Sequence, residues 1–270
     1  MLIKGDASAL EWRVKLFLSQ DQVGINEILN GEDIHSKNME AFGLPSRLVA
    51  KVFIYRLIFA DAFGERGYNS PAYAYAHDPD FSQTSTSVKY WEKVIERFFE
   101  KYNGVRQHSV NLIKEAIDKG RLEIPTGRFY PITQKPNKYR GGMDWPRTEI
   151  LNYPVQGFAA DVMMQVRLLL RSRLRQLDYG KLALIINTVH DDCELDVDNK
   201  AELVYNICLM LKTCFQDVHI PFKRNYGFDL NVPIDGEVKY GWTLLESLLT
   251  KFNNNTFTED FKTVCNSQFR

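Results

Sequence analysis

Long apolar runs are missing from this chain of 270 residues. Its apolar stretches are interrupted by Arg or Lys well before the roughly 20 residues that a membrane span needs, so no membrane partner is expected. The N-terminus meets charge at once and lacks the pattern of a signal peptide. Cysteine is scarce and shows no metal-ligand spacing, which predicts a reducing cytoplasm and no thiolate metal site. The four cysteines are Cys193, Cys208, Cys214 and Cys265.

The chain also lacks a net charge, because 34 Lys and Arg residues balance 34 Asp and Glu residues. Zero net charge is unusual for a protein that handles nucleic acid. The charges are nevertheless segregated, with a basic stretch over residues 119–147 and an acidic stretch over residues 191–202. The basic stretch could hold phosphates and the acidic one a metal, or both could be solvated surface. Charge alone leaves these alternatives open.

Two short acidic segments at opposite ends of the chain carry the clearest indication of chemistry. Residues 2–5 are predicted to form a strand that leads into Asp6, and a second apolar run leads into His190, Asp191 and Asp192. A carboxylate at the end of a strand can face a groove while its backbone is fixed in a sheet. Two such strands side by side would give an oxygen-ligand site for divalent cations. Alone, each segment has an ordinary alternative, a solvated hairpin turn.

A predicted helix after Ser46, a good N-cap residue, carries a third feature. Four side chains follow one another at steps of four residues, so they share one face of this helix. The two cations near the N-terminus, where the helix dipole adds positive potential, suit a polyphosphate. The two aromatic side chains further along could stack on a base. The alternative is a core-facing stripe whose basic residues reach solvent. The four residues are Arg47, Lys51, Tyr55 and Phe59.

Asn152 and Gln156 form a pair at positions i and i+4, on either side of Pro154 at a predicted helix start. Two amides on one helix face can donate to the minor-groove acceptors that every base pair offers in nearly the same place. This arrangement suits a protein that checks the shape of a base pair without reading sequence. Ordinary capping of the helix by Asn152 is the alternative.

Together, and in this order, these segments resemble the motifs of the family A DNA polymerases, of the bacterial polymerase I and phage type. The segment from Asp6 to Arg13 is similar to motif A, the stripe from Arg47 to Phe59 to motif B, and His190-Asp191-Asp192 to motif C. The resemblance extends from residue 1 to about residue 247. The intermediate matches are Asp33-Ile34-His35, Phe42-Gly43-Leu44, Thr126-x-Arg128 and the segment from Asn152 to Asp161.

This chain departs from the family pattern at several positions. Phe59-Ala60 stands where Tyr-Gly is usual, and motif C ends in Asp192 where Glu is commoner. Thr148 occupies a position where the family has arginine. Motif A also lies almost at the first residue, so the thumb and exonuclease domains of the family are expected to be absent.

The resemblance implies an α/β fold of the α+β kind, in which a polymerase palm sheet is interrupted by a helical fingers subdomain. Gly, Pro, Ser and Thr in the middle of the fingers predict a loop insertion. The predicted division is palm over 1–30 with motif A, fingers over 31–148 with the motif B helix at 46–60 and the loop insertion at 60–87, palm over 149–247 with the motif C hairpin, and a tail over 248–270.

The resemblance also implies template-directed DNA synthesis, with nucleotidyl transfer from a dNTP to a primer 3′-hydroxyl. Two Mg²⁺ ions would activate the 3′-hydroxyl and bind the triphosphate. Their implied ligands are Asp6, Asp191, Asp192 and the backbone carbonyl of Ala7. Lys51 joins Asp6 and Asp191 as an implied catalytic residue, because it could donate a proton to pyrophosphate.

Further residues are implied to bind the two substrates. Arg47 and Lys51 would neutralise the triphosphate, and Glu11 would close the space beside the sugar 2′ position and so exclude ribonucleotides. Tyr55 and Phe59 would complete the nucleotide site, with Tyr55 stacked against the sugar and base. The implied contacts with the primer-template are Arg128, Asn152, Gln156 and His190.

The implied partners are primer-template DNA, dNTPs and a separate polypeptide that carries the thumb, with or without an exonuclease. The expected location is the cytoplasm of a bacterium or of a phage-infected cell. Two alternatives remain open. One is a non-catalytic DNA-binding subunit derived from a polymerase, and the other is a stand-alone metal nuclease, for which the sequence offers no further carboxylate cluster. A primer-extension assay separates these possibilities.

Overall fold

The chain divides into two compact units in the computed structural model, which describes residues 1–59, 70–137 and 141–267. The first, which we call the sheet unit, comprises Met1–Leu10 and Ala159–Arg270. The second, the helical unit, comprises Glu11–Phe158. Both predicted acidic segments therefore lie in the sheet unit. The combination of many helices with an antiparallel sheet confirms the predicted α+β class.

The elements follow one another with short connections over most of the chain. They are β1 (Leu2–Ala7), α1 (Leu10–Ser19), α2 (Gln22–Leu29), α3 (Ile34–Phe42), α4 (Arg47–Phe59), α5 (Pro71–His77), α6 (Pro79–Ser82), α7 (Val88–Lys101), α8 (Asn103–Lys119), β2 (Arg121–Glu123), β3 (Phe129–Pro131), β4 (Lys135–Pro136), β5 (Met143–Asp144), α9 (Arg147–Gln176), β6 (Ala183–Val189), β7 (Asp192–Val197), α10 (Ala201–Gln216), α11 (His219–Tyr226), β8 (Gly236–Gly241), β9 (Thr250–Lys251) and α12 (Phe257–Ser267). None of these described helices is both long and apolar enough to cross a membrane.

A five-stranded antiparallel sheet with the strand order β6-β7-β1-β8-β9 organises the sheet unit. Helix α10 packs closely against two glycine positions of the sheet. A Cβ atom on Gly5 would lie 2.5 Å from Leu211 Cδ2, and one on Gly236 would lie 2.2 Å from Phe215 Cδ2. Because successive residues of a strand face opposite sides of a sheet, Asp6 points away from α10.

Aromatic packing holds the helical unit together. Phe53 of α4 contacts Tyr75, Trp91 and Phe98, with ring centroids 5.2, 6.5 and 5.7 Å away. The Tyr75 hydroxyl donates a hydrogen bond of 3.0 Å to the carbonyl of Phe53. Helix α7 supplies Trp91 and Phe98 from one amphipathic face, as its 3.6-residue periodicity predicts. This core fixes the inner side of α4 and leaves its outer side for other contacts.

The local signals in the helical unit are mostly confirmed. Ser46 caps α4, since its hydroxyl accepts a hydrogen bond of 3.2 Å from the Val49 N–H. Gly43 ends α3 with a φ of 65°, in the left-handed region that glycine adopts without strain. Strands β2 and β3 form an antiparallel pair, and the turn between them contains Gly127 with a φ of 82°.

The prediction of a loop insertion over residues 60–87 is wrong for the part that forms α5 and α6. Ser70 and Asp78 cap these two helices, and each cap is followed by a proline at the first helical positions. A proline is favourable there because its missing N–H would have no intrahelical partner. The rest of the loop prediction, over residues 60–69, lies outside the described residues.

Two other predicted boundaries are also wrong. Helix α9 begins at Arg147 instead of about Val155, and Pro154 lies inside it. Ile150 and Leu151 belong to a buried apolar cluster, and this burial offsets the hydrogen bond that the proline cannot donate. The segment expected to be a tail contains β9 and α12. Phe257 packs 5.4 Å from the Tyr240 ring, so apolar burial orders this end of the chain.

Lys15 of α1 is fully buried and has no carboxylate partner in the described part of the chain. Its ammonium group donates to Ser109 Oγ at 3.0 Å and lies 3.3 Å from His108 Nδ1. Burial lowers the pKa of Lys15 to about 7, and burial followed by the Lys15 charge lowers the pKa of His108 well below its usual value. An unpaired ionisable group in a core costs stability.

We expect Lys15→Met to raise the free energy of unfolding by about 2 kcal/mol at pH 6 and by less at pH 9. Above pH 7 the unfolded chain still holds the lysine proton that the folded chain has released, so the stability of the wild type rises with pH up to about 10. The Met variant lacks this contribution. Thermal unfolding at pH 6, 7.5 and 9 measures it, and parallel pH profiles for the two proteins would contradict the assignment.

Candidate functional site

Three carboxylates meet at the end of the central strands of the sheet unit. The antiparallel pairing of β1 with β7 sets Asp6 opposite Asp192, and Asp191 lies in the turn between β6 and β7. One oxygen atom of each carboxylate lies within 4.8 Å of the others. The sheet therefore brings together the acidic segments from the two ends of the chain.

A tight turn holds Asp191 in place. Val189 pairs with Asp192 across the hairpin, so only His190 and Asp191 form the turn. His190 has a φ of 53°, a left-handed conformation in which histidine is enriched among non-glycine residues. The Ala7 N–H donates a hydrogen bond of 3.0 Å to the Asp191 carbonyl. This bond joins the turn to the end of β1 and fixes the backbone of both acidic segments.

The electrostatics of the cluster favour a bound cation. Burial, followed by the charge of Asp191 and a hydrogen bond with Asp192, raises the pKa of Asp6 to about 7. Lys4 Nζ lies 2.8 Å from Asp192 Oδ2, and this hydrogen bond raises the pKa of Lys4. Lys4 therefore offsets part of the negative charge and leaves the remainder for another cation.

The donor set of the cluster fits a divalent metal. Asp192 Oδ1 is buried and has no hydrogen-bond partner in the described part of the structure. An orphaned carboxylate oxygen beside two further carboxylates provides the hard oxygen ligands that Mg²⁺ and Mn²⁺ prefer. Ala7, whose carbonyl is the remaining predicted ligand, is the last residue of β1.

The predicted stripe lies on the outer face of α4, in the helical unit. Arg47 and Lys51 are exposed and Tyr55 and Phe59 are half-buried, whereas the core face of the helix is made by other residues. The alternative of a core-facing stripe is therefore wrong. The rings of Tyr55 and Phe59 are 6.4 Å apart and nearly parallel, and Lys51 Nζ lies 6.0 Å from the centre of the Tyr55 ring.

Asp33, the N-cap of α3, and His35 of α3 lie beside the outer face of α4. The sequence predicts no role for either residue. Asp33 accepts two hydrogen bonds from Arg47, at 2.6 Å from Nε and 3.2 Å from Nη2. The hydrogen bond from Arg47 lowers the pKa of Asp33 to about 2. The His35 ring lies 6.2 Å from Tyr55, and burial, followed by the Arg47 charge, lowers its pKa to about 4. In the sequence, the match of Asp33-Ile34-His35 to the family pattern is the feature that points to these two residues.

The other predicted residues of the helical unit lie on three separate elements. Glu11 is in the first turn of α1, and Arg128 precedes β3. Asn152 and Gln156 share a face of α9, where Asn152 Oδ1 is buried without a hydrogen-bond partner in the part of the chain that is described. The capping alternative for Asn152 is wrong because α9 begins five residues earlier, at Arg147.

Comparisons with known proteins give a consistent match. A family model described as DNA polymerase family A matches residues 1–246. DNA polymerase I of Mycobacterium leprae is 26% identical over 243 residues, which are 89% of this chain and 24% of that protein. DNA polymerase I of Lactococcus lactis is 27% identical over 198 residues, which are 73% of this chain and 22% of that protein. This chain thus spans about a quarter of the length of these relatives.

A solved structure has a similar fold. It is the POL domain of Pol1 from M. smegmatis, in complex with DNA primer-template and dNTP. The match has a TM-score of 0.67 and 21% sequence identity, and it covers 89% of this chain and 39% of that chain.

Proposed function

Because this chain belongs to DNA polymerase family A, we propose that it catalyses template-directed DNA synthesis by two-metal nucleotidyl transfer from a dNTP to a primer 3′-hydroxyl. The observation that carries the proposal is the meeting of Asp6, Asp191 and Asp192 within 4.8 Å at the end of β1. Substrate binding in the solved neighbour, a complex with primer-template and dNTP, supports it.

Asp6 and Asp191 would be the principal ligands of two Mg²⁺ ions, with Asp192 and the Ala7 carbonyl as further ligands. When bound, the ions would supply activation of the 3′-hydroxyl and neutralisation of the triphosphate. The protein's own contribution is rigid positioning. Both principal carboxylates are attached to backbone that the 3.0 Å bond between Ala7 and Asp191 holds in place. Asp192 is oriented by its ion pair with Lys4.

The outer face of α4 would bind the nucleotide. Lys51, which has no ion-pair partner in the described regions, would contact the triphosphate and supply a proton to pyrophosphate. Arg47 would exchange Asp33 for a phosphate oxygen. An exposed ion pair is worth about 0–1 kcal/mol, so this exchange costs little. Tyr55 and Phe59 would contact the sugar and base, and Glu11 would exclude the ribose 2′-hydroxyl.

The amides of Asn152 and Gln156 would contact the minor groove at the primer-template end, together with Arg128 and His190. Such contacts are independent of sequence because the minor-groove acceptors of all base pairs are similarly placed. Within the family architecture, residues 1–30 and 149–247 would form the palm, and residues 31–148 the fingers.

We also propose that a separate polypeptide supplies a thumb, with or without an exonuclease, as in a split enzyme of the phage type acting in the cytoplasm. The net charge of this chain is zero. A protein with few phosphate contacts binds DNA weakly and with strong salt dependence. The partner would add further phosphate contacts.

A primer-extension assay tests the proposed function. The purified chain is incubated with labelled primer-template, dNTPs and MgCl₂, first alone and then with the thumb polypeptide. Template-dependent lengthening supports the proposal. Binding without lengthening in both arms would favour a non-catalytic DNA-binding subunit, and primer shortening would favour a nuclease.

Tyr55→Phe is expected to lower dideoxynucleotide incorporation about tenfold relative to dNTP incorporation, the worth of one hydrogen bond of about 1.4 kcal/mol. The tyrosine hydroxyl would substitute for the contact that the missing 3′-hydroxyl makes, and phenylalanine cannot. Single-nucleotide kinetics with ddNTP and dNTP measure the ratio, with Tyr226→Phe as a control in the other unit. Equal dideoxy use by wild type and Tyr55→Phe would remove Tyr55 from the sugar contact.

A further inference from the structure

Strand β6 forms an edge of the five-stranded sheet, and no other described strand pairs with its outer side. Its sequence, ALIINTV, contains no charged residue and no proline. The side chains of Leu184 and Ile186 are 54% and 50% exposed. The opposite edge, β9, is only two residues long and carries Lys251. Proteins usually keep edge strands short or charged to prevent pairing with another chain, so β6 has the features of a strand that pairs.

A groove of about 630 Å³ runs between β6 and helix α9. Leu168, Leu184 and Ile186 contribute exposed apolar surface to it. Arg171 and Arg175 line the same groove, and both are exposed. The groove therefore combines an apolar surface, two exposed arginines and the outer side of an edge strand.

The arginines of the groove differ from their neighbour on the same helix. Arg173 is paired with Asp217 and also donates to Thr213 Oγ1 at 3.0 Å. Arg171 and Arg175 have no acidic partner among the residues that the structure describes. These two guanidinium groups lie beside exposed apolar surface. They are complementary to a ligand that carries both carboxylates and apolar side chains.

We propose that this groove and the β6 edge are the docking surface for an extended segment of the partner polypeptide, with alternating apolar and acidic side chains. An added strand would satisfy the free backbone groups of β6. Because strand side chains alternate with a period of two, its apolar residues would cover Leu184 and Ile186 while its carboxylates reach Arg171 and Arg175. The source of the segment, a partner that completes the enzyme, rests on the proposed function.

Two other occupants fit less well. A second copy of this chain would bring its own Arg171 and Arg175 towards the same pair, which like charge disfavours. A DNA duplex would satisfy the arginines, but it would leave Leu184 and Ile186 uncovered and the strand edge unpaired.

The test measures binding of a short synthetic peptide of alternating valine and glutamate to the purified chain. A valine–lysine peptide of the same length is the charge control. We expect binding of the glutamate peptide by fluorescence anisotropy, at least about tenfold weaker binding of the lysine peptide, and slower hydrogen exchange of amides 183–189. Leu184→Lys and the double variant Arg171→Glu/Arg175→Glu should each weaken binding at least about tenfold. Leu248→Lys, at a residue 61% exposed in the same unit, should not.

Equal affinity for the two peptides, no binding, or unchanged exchange over 183–189 would overturn the inference. Self-association that Leu184→Lys abolishes would assign the edge to a second copy. Loss of primer-template affinity in Arg171→Glu/Arg175→Glu, without peptide binding, would assign the groove to nucleic acid. If the chain extends primers but does not bind the peptide, this inference is overturned and the proposed function is not. A chain that binds the peptide but never extends primers keeps the docking surface and overturns the proposed function.

Discussion

Asp6→Asn and Asp191→Asn are each expected to reduce primer extension by at least about 10³-fold. Both substitutions keep the side chain nearly the same size but remove the negative charge that a divalent cation needs. The three carboxylates lie within 4.8 Å of one another, so no other side chain of the cluster can take over the lost ligand without moving. Asp198→Asn, at an exposed residue after β7, is the matched control and should retain activity.

Thermal unfolding distinguishes variants that have lost a metal ligand from variants that do not fold. Without metal, Asp6→Asn should unfold at the same temperature as the wild type or higher, because it relieves repulsion among crowded carboxylates. With MgCl₂ or MnCl₂ the wild type should gain stability through binding to the folded state, and the variants should gain less. Full extension by either variant, or equal metal stabilisation of all proteins, would refute the metal assignment.

Lys51→Ala is expected to lower kcat by about 10²-fold. The ammonium group lies on the exposed face of α4 and has no carboxylate partner within the described segments, so its removal leaves no buried charge behind. Arg56→Ala provides a control on the same helix. Arg56 is also a cation, but it pairs with Asp78 at 2.8 Å and lies off the stripe.

The two variants should therefore behave differently in single-turnover kinetics. Lys51→Ala should slow the chemical step while primer-template affinity stays unchanged, whereas Arg56→Ala should leave both quantities near those of the wild type. Similar losses in both variants would indicate a general effect of charge or stability on α4. An unchanged rate in Lys51→Ala would remove this residue from the triphosphate site.

The sequence predicted those parts of the site that depend on local rules. Asp6 lies at the end of β1 and Asp191 follows β6, and strands that share a sheet can bring their ends together. The stripe on α4 follows from helical periodicity alone. Ser46 and Gly43 mark the neighbouring helix ends by capping preferences that act within a few residues.

The features that were missed depend on contacts between distant residues or on a competition between local signals. Pro71 and Pro79 indicate a loop by composition, yet a capping residue before each makes it a helix start. The bond between Asp33 and Arg47 requires α3 to pack beside α4, which no spacing rule supplies. The groove beside β6 is likewise a product of the packing of α9 on the sheet.

The pairing of β1 with a strand on each side determines which face of the sheet carries the carboxylate of Asp6. Position along a strand alternates between two faces, so a shift by one residue moves every side chain to the other face. Gly5 faces Leu211 of α10, and Asp6 faces the opposite side. Deleting one residue from β1 would push a carboxylate into the packing of α10 and place a glycine beside Asp191 and Asp192. An insertion or deletion in β1 therefore keeps Asp6 on its face of the sheet only when it contains an even number of residues. A surface loop has no such restriction.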